Sequence, residues 1–137
     1  ATAAMVVLDA SVILKWFRDE PDSEKALVYR SEHVSGKQQI VCPILLHYEL
    51  VNALVTKRDL SIRDVMDILK DLQRSQILLA SPSSVEDEQY AAIIAIEKGI
   101  SYYDASYIAL AHRLKANLIT ADKKLIEKVN LPFVISL

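Results

Sequence analysis

Four acidic side chains have types and positions suited to holding a divalent cation. Asp9 closes the apolar run in VVLDAS, and Asp122 follows a second such run in LITADKKL. In open parallel sheets, ligands bind outside the carboxyl ends of the strands, so both acids stand where a site is expected. Asp104 lies in GISYYDASYIALAHRLK, whose apolar residues Tyr103, Tyr107, Leu110, Ala111 and Leu114 recur at helical spacing. At about 100° per residue it falls between Ala111 and Ile108, inside the arc that should be buried. Glu49, in PILLHYELVNALV, falls between Leu45 and Ala53, within the arc completed by Leu46, Leu50 and Leu54. Four carboxylates drawn to one point repel, and burial adds to the cost, unless protons or a cation neutralise them. All-oxygen donors suit Mg²⁺ or Mn²⁺. One or two such ions, with their waters, can activate a hydroxide and hold a phosphodiester.

Each acid also has a structural explanation. SYYD (101–104) has the pattern of a helix capping box, as do Ser61–Asp64 and Ser83–Glu86. Asp9 and Asp122 can each cap the helix that follows. Glu49 needs no cap in mid-helix, but it can snorkel from the rim of its arc. Polar neighbours could assist a site: Ser11 beside Asp9, Asn52 three residues after Glu49, and Thr120 and Lys123 around Asp122. Lys124 reads as solvated surface. Other chemistry is thin. His33, His47 and His112 lack zinc-type spacing and read as surface or partly packed. There is no G-x-S-x-G elbow, and Cys42 has no basic neighbour in sequence to make it a nucleophile.

The elements that must position these residues alternate in type. Strands are expected at 5–8, 39–42, 77–80 and 117–120, with 133–135 as an edge strand. Helices are expected over 11–17, from Pro21 to Gly36, from Pro43 in its first turn to Lys57, over 61–75, from 83 to Gly99, over 101–115 and over 123–129. This alternation predicts an α/β layered fold with a central, mostly parallel sheet flanked by helices. ATAA before Met5 carries no pattern and is expected to stand ahead of a native start.

The chain has 137 residues, 52% of them hydrophobic, which predicts one domain with a sizeable core and excludes a disordered chain. No apolar run is long enough to span a membrane, and no secretory leader is evident. The lone Cys42 reads as a buried hydrophobe in a reducing, cytoplasmic compartment. A net charge of −2 gives no bulk attraction to nucleic acid. A polyanion must therefore meet local basic residues or bound cations. Lys15, Arg18 and Lys123 flank the first and last acidic motifs and are the candidates.

VVLDAS, YELVNAL, YYDASYIALA and LITADKKL, in that order, resemble the four motifs of the PIN-domain family of metal-dependent ribonucleases. Within it the chain is most similar to the VapC-type toxins of prokaryotic toxin–antitoxin pairs, over essentially its whole length from Met5. The resemblance implies a PIN-like three-layer fold. It implies Asp9, Glu49, Asp104 and Asp122 as catalytic metal ligands for Mg²⁺ or Mn²⁺, with Ser11, Asn52 and Thr120 in support. It further implies an RNA substrate, a homodimer and an antitoxin that blocks the site. Two other readings stand beside it. A receiver-like signalling domain would need a phosphoacceptor Asp at the end of a central strand, and ILLASP has none. A non-catalytic binding module of the same fold would not need the acids. For the dimer, Ile44, Tyr48, Val51 and Val55 form a second apolar stripe on the helix after Pro43. It is expected either to form the contact or to be covered by another helix of the same chain.

Overall fold

A computed structural model describes residues 4–81 and 84–137. Five strands among these residues form one sheet: β1 (Ala4–Leu8), β2 (Gln38–Pro43), β3 (Leu78–Ala80), β4 (Asn117–Thr120) and β5 (Val134–Ser136). Their order is β3-β2-β1-β4-β5, and all four pairings are parallel. The central strand β1 is buried on both faces, as the unbroken run VVL requires. Alternate residues of that run enter different cores. Val6 and Leu8 face one side with Ile40, Cys42 and Ile119. Val7 faces the other with Val41, Leu118 and Val134.

Among the described residues, seven helices cover the two faces: α1 (Ala10–Leu14), α2 (Ser23–Val34), α3 (Leu45–Thr56), α4 (Ile62–Arg74), α5 (Val85–Lys98), α6 (Tyr102–Leu114) and α7 (Lys123–Val129). The first four bury Val12, Ile13, Ala26, Leu46, Leu50, Leu54, Val65 and Leu72 against the Val6–Leu8 side. The last three bury Ala91, Ile94, Tyr107, Ile108, Leu110, Leu125 and Val129 against the Val7 side. The result is helix, sheet, helix.

Several boundaries differ from expectation. Pro43 ends β2, opposite Ala80, rather than opening α3. A strand terminus tolerates a missing N–H as well as a helix start does, and the next residue, Ile44, donates to Ala80 C=O at 3.2 Å. Ala4 pairs with Gln38, so the sheet begins one residue before Met5. Ser83 lies outside the described residues. Ser84 caps α5 instead, its Oγ accepting from the Asp87 N–H at 3.3 Å. Gly99 closes α5 in the left-handed region, φ 66°, where glycine carries no Cβ penalty. Tyr103, read above as core, is exposed. No helix among the described residues is long and apolar enough to cross a membrane.

Candidate functional site

β1 lies between β2 and β4, and the chain crosses over to opposite sides of it. Parallel α/β sheets place ligands in the crevice at such a reversal, outside the carboxyl ends of the strands. The register makes the crevice specific. Leu8 pairs with Ile119, so Asp9 and Thr120 emerge side by side. Thr120 is fully buried, and its Oγ1 donates to Asp9 Oδ2 at 2.5 Å while accepting from the Asp122 N–H at 3.0 Å. Ser11 Oγ donates to Asp9 Oδ1 at 2.5 Å and accepts from the Ala121 N–H at 3.1 Å. Two hydroxyls thus lock the end of β1 to the turn after β4 and fix the Asp9 carboxylate between them.

Asp9 and Asp122 are both helix caps. Asp9 Oδ1 accepts from the Val12 N–H at 3.3 Å, and Asp122 Oδ1 accepts from the Leu125 N–H at 3.1 Å. Asp9 is buried and Asp122 exposed. Glu49 arrives from α3, which lies across the end of the sheet. Leu45 packs with one core while Leu46, Leu50 and Leu54 pack with the other. Glu49, one turn from Leu45 on the same side, is half-buried, and its Oε1 is enclosed without a hydrogen-bond partner in the protein. Asp104 is half-buried in the first turn of α6. Its N–H donates to the Ser101 side chain at 3.0 Å.

Electrostatics tie the four acids together. Burial pushes the Asp9 carboxyl up to about 6, against the opposing bonds from Ser11, Thr120 and the Val12 N–H, and the charge of Asp104 adds to the rise. Burial raises Glu49 as well, opposed by the neighbouring Tyr107 hydroxyl and reinforced by Asp104. Asp104 is itself raised, by burial first and then by Asp122. Asp104 therefore interacts with each of the other three. Among the described residues, no three His, Cys, Asp or Glu side chains are drawn into a ready-made cage. An all-oxygen donor set of this kind fits a hard cation such as Mg²⁺ or Mn²⁺.

The remaining candidates divide. Asn52 is exposed, and its described hydrogen bond is through its carbonyl, which accepts from Thr56 Oγ1. Lys15 Nζ is engaged by Glu20 Oε2 at 3.3 Å and by the Pro21 carbonyl at 2.8 Å. Arg18 pairs with Asp59 and Glu20. Lys123 is exposed and shares a polar cavity with Lys15, Lys25 and Ala121, beside the Asp122 turn. Ile44, Tyr48 and Val55 are exposed and Val51 is half-buried, so no helix among the described residues covers that stripe fully. The Cys42 thiol, pushed up to about 12 by burial, donates to the Leu8 carbonyl and is no nucleophile. His33 accepts from the Ile40 N–H, and His112 stacks on Tyr90. A pocket between α5 and α6, lined by Ala80, Tyr102 and Arg113, contains none of the four acids. Tyr107 was legible in sequence only as core. Its hydroxyl beside Glu49 follows from its place one turn after Asp104 on the same face of α6.

Comparison with known proteins gives a consistent result. A sequence profile describing the PIN domain matches residues 6–130. Ribonuclease VapC3 of Pyrobaculum aerophilum is 32% identical over 126 residues, covering 90% of this chain and 93% of the relative. The crystal structure of PAE2754 from Pyrobaculum aerophilum superposes with a TM-score of 0.70 at 21% identity, covering 99% of this chain and 91% of that one. The structure of VapC20 of Mycobacterium tuberculosis, described as a sarcin-ricin loop cleaving toxin, superposes with a TM-score of 0.67 at 12% identity, covering 94% and 96%.

Proposed function

The chain belongs to the PIN-domain family, and from that premise we propose that it is a divalent-metal-dependent endoribonuclease, the toxin of a toxin–antitoxin pair. The observation that supports this best is the coupling of Asp104 to Asp9, Glu49 and Asp122 at the carboxyl edge of the sheet. A binding module would have no use for three carboxylates raised by burial and mutual repulsion. The match to the PIN-domain profile and to Ribonuclease VapC3 favours the nuclease over a receiver-like domain.

Asp9, Glu49, Asp104 and Asp122 would hold Mg²⁺ or Mn²⁺, which when bound supplies charge stabilisation of the transition state and acidifies the attacking water. The chain's own residues do the positioning. Ser11 and Thr120 fix Asp9 by hydrogen bonds to both of its oxygens. Thr120 also holds the backbone of Asp122, so the two strand-end acids move as one unit. Lys123, exposed beside them, meets an RNA phosphate. Lys15 and Arg18 have their charge matched by Glu20 and Asp59 and serve the loops around the site instead.

The exposed stripe of Ile44, Tyr48, Val51 and Val55 favours a homodimer, and a cognate antitoxin is the expected partner at the acidic cleft. The protein is expected to act in the cytoplasm. The central test is cleavage of RNA in EDTA, Mg²⁺ and Mn²⁺ by the wild type and by Glu49→Gln. Cleavage that needs the metal and falls by at least about 100-fold in the variant, as for loss of a group acting in the transition state, is expected. Undiminished cleavage in EDTA or in the variant would refute the proposal.

A further inference from the structure

We infer that Tyr107 is a positioning residue for Glu49, its phenol hydroxyl holding that carboxylate in the orientation the cation site requires. This rests on the reading of Glu49 as a metal-holding acid. Tyr107 is only 2% exposed, and its Oη is enclosed without a hydrogen-bond partner in the protein. A buried tyrosine hydroxyl ordinarily finds one, and leaving it unmatched costs free energy. Packing does not explain the hydroxyl, because phenylalanine would fill the same core position.

The acceptors around it can be sorted. The ionisable groups that bear on Tyr107 are Glu49, Cys42 and Asp9. The Cys42 thiol is committed to the Leu8 carbonyl. Both oxygens of Asp9 already accept, from Ser11 and from Thr120. Glu49 Oε1 is buried and unmatched. One hydrogen bond from Tyr107 to Glu49 satisfies both orphaned atoms and leaves the second Glu49 oxygen for a cation. α6 thereby serves the site twice, through Asp104 and, one turn later on the same face, through Tyr107.

Groups that orient metal ligands typically change metal affinity about 10- to 100-fold when removed. The test is calorimetric titration of the RNA-free protein with Mn²⁺ for wild type, Tyr107→Phe, Glu49→Gln and the double variant, with urea unfolding of each in EDTA. Expected are about a 10-fold larger Mn²⁺ dissociation constant in Tyr107→Phe and a cooperative urea transition in EDTA that shows the variant folded. The double variant should bind no more weakly than Glu49→Gln alone, because the hydroxyl acts through that carboxylate. Unchanged Mn²⁺ affinity in Tyr107→Phe, or an equal loss in the Glu49→Gln background, would overturn the role of Tyr107 while leaving the site intact. Unchanged affinity in Glu49→Gln would overturn the site reading and this inference with it.

Discussion

The substitution Asp9→Asn should change the sign of its effect on stability with pH. Asp9 titrates at about 6 in the fold, against 3.8 for the free side chain, chiefly because it is buried. At about 1.4 kcal/mol per pH unit, ionising it costs the metal-free protein about 3 kcal/mol. The direction follows from the raised value. The neutral form is favoured by the fold, so this stability is fully present below pH 3.8 and is lost as pH rises through about 6. The amide of the variant carries no charge to bury but cannot accept from Ser11, Thr120 and Val12 as a carboxyl group does, at a cost of about 1 kcal/mol. In EDTA the variant should therefore be the less stable protein at pH 4 and the more stable at pH 7.5, with a swing of about 2.5 kcal/mol between them. Asp104, whose charge adds to the rise of Asp9, loses a repulsive neighbour in the variant, which enlarges the swing. Saturating Mn²⁺ should restore the wild type at pH 7.5, by about 2.7 kcal/mol at a hundred times its dissociation constant, and the variant by less. Urea unfolding across this pH range reads all three quantities. A wild-type-to-variant difference that stays constant with pH, or equal gains from Mn²⁺, would refute the buried acid cluster.

Thr120→Val keeps the shape of a fully buried residue but leaves the Asp122 N–H and Asp9 Oδ2 unmatched. It should cost about 1–3 kcal/mol in urea unfolding, and a neutral result would mean that solvent reaches this joint. Lys123→Ala should raise KM for RNA several-fold with little change in kcat. It should also flatten the salt dependence of binding by roughly one phosphate contact, measured between about 50 and 200 mM salt. Tyr48→Glu places a charge on a residue that is 74% exposed in the single chain, so the fold should survive while a dimer dissociates. Light scattering at micromolar concentration checks this, and a monomeric wild type would refute the interface.

The layered fold was legible because its signals are local. Short apolar runs such as VVL, bounded by turn and capping residues, read as strands buried on both faces, and the capping pattern at Ser61 and Asp64 forms in full. The features that went unread depend on distant residues. Pro43 carries the same lack of an N–H whether it ends β2 or begins α3, and its pairing with Ala80 decides between them. Lys15 and Arg18 looked like free cations beside a motif. Arg18 meets its partner Asp59 41 residues away, across a turn the sequence does not announce. Tyr103 and Tyr107 sit four apart in one apparent stripe, yet one is exposed and the other buried, because burial in α6 begins only at Ala105, after its first turn.

At the site, capping and metal holding looked like rival explanations of the same acids, and the atoms involved show why they are compatible. Each of these helix ends claims at most one oxygen of its acid's carboxylate. Asp64 completes a box, with its N–H on Ser61 Oγ and its Oδ2 accepting from the Ser61 N–H, both at 3.0 Å. The matching pair at α6 makes half of that box. The Asp104 N–H is on Ser101, and its carboxylate is not tied back to the Ser101 N–H among the described hydrogen bonds. Asp122 caps α7 through Oδ1, with no protein donor on Oδ2 among those bonds. A residue type and spacing can announce a cap, but they cannot say how many of its oxygens the cap consumes. That depends on the side-chain rotamer, which the surrounding charges and burial set. Glu49 was the most readable of the four for the opposite reason. In mid-helix no backbone donor is left to claim it, so its place inside an apolar arc already called for a partner from outside the helix.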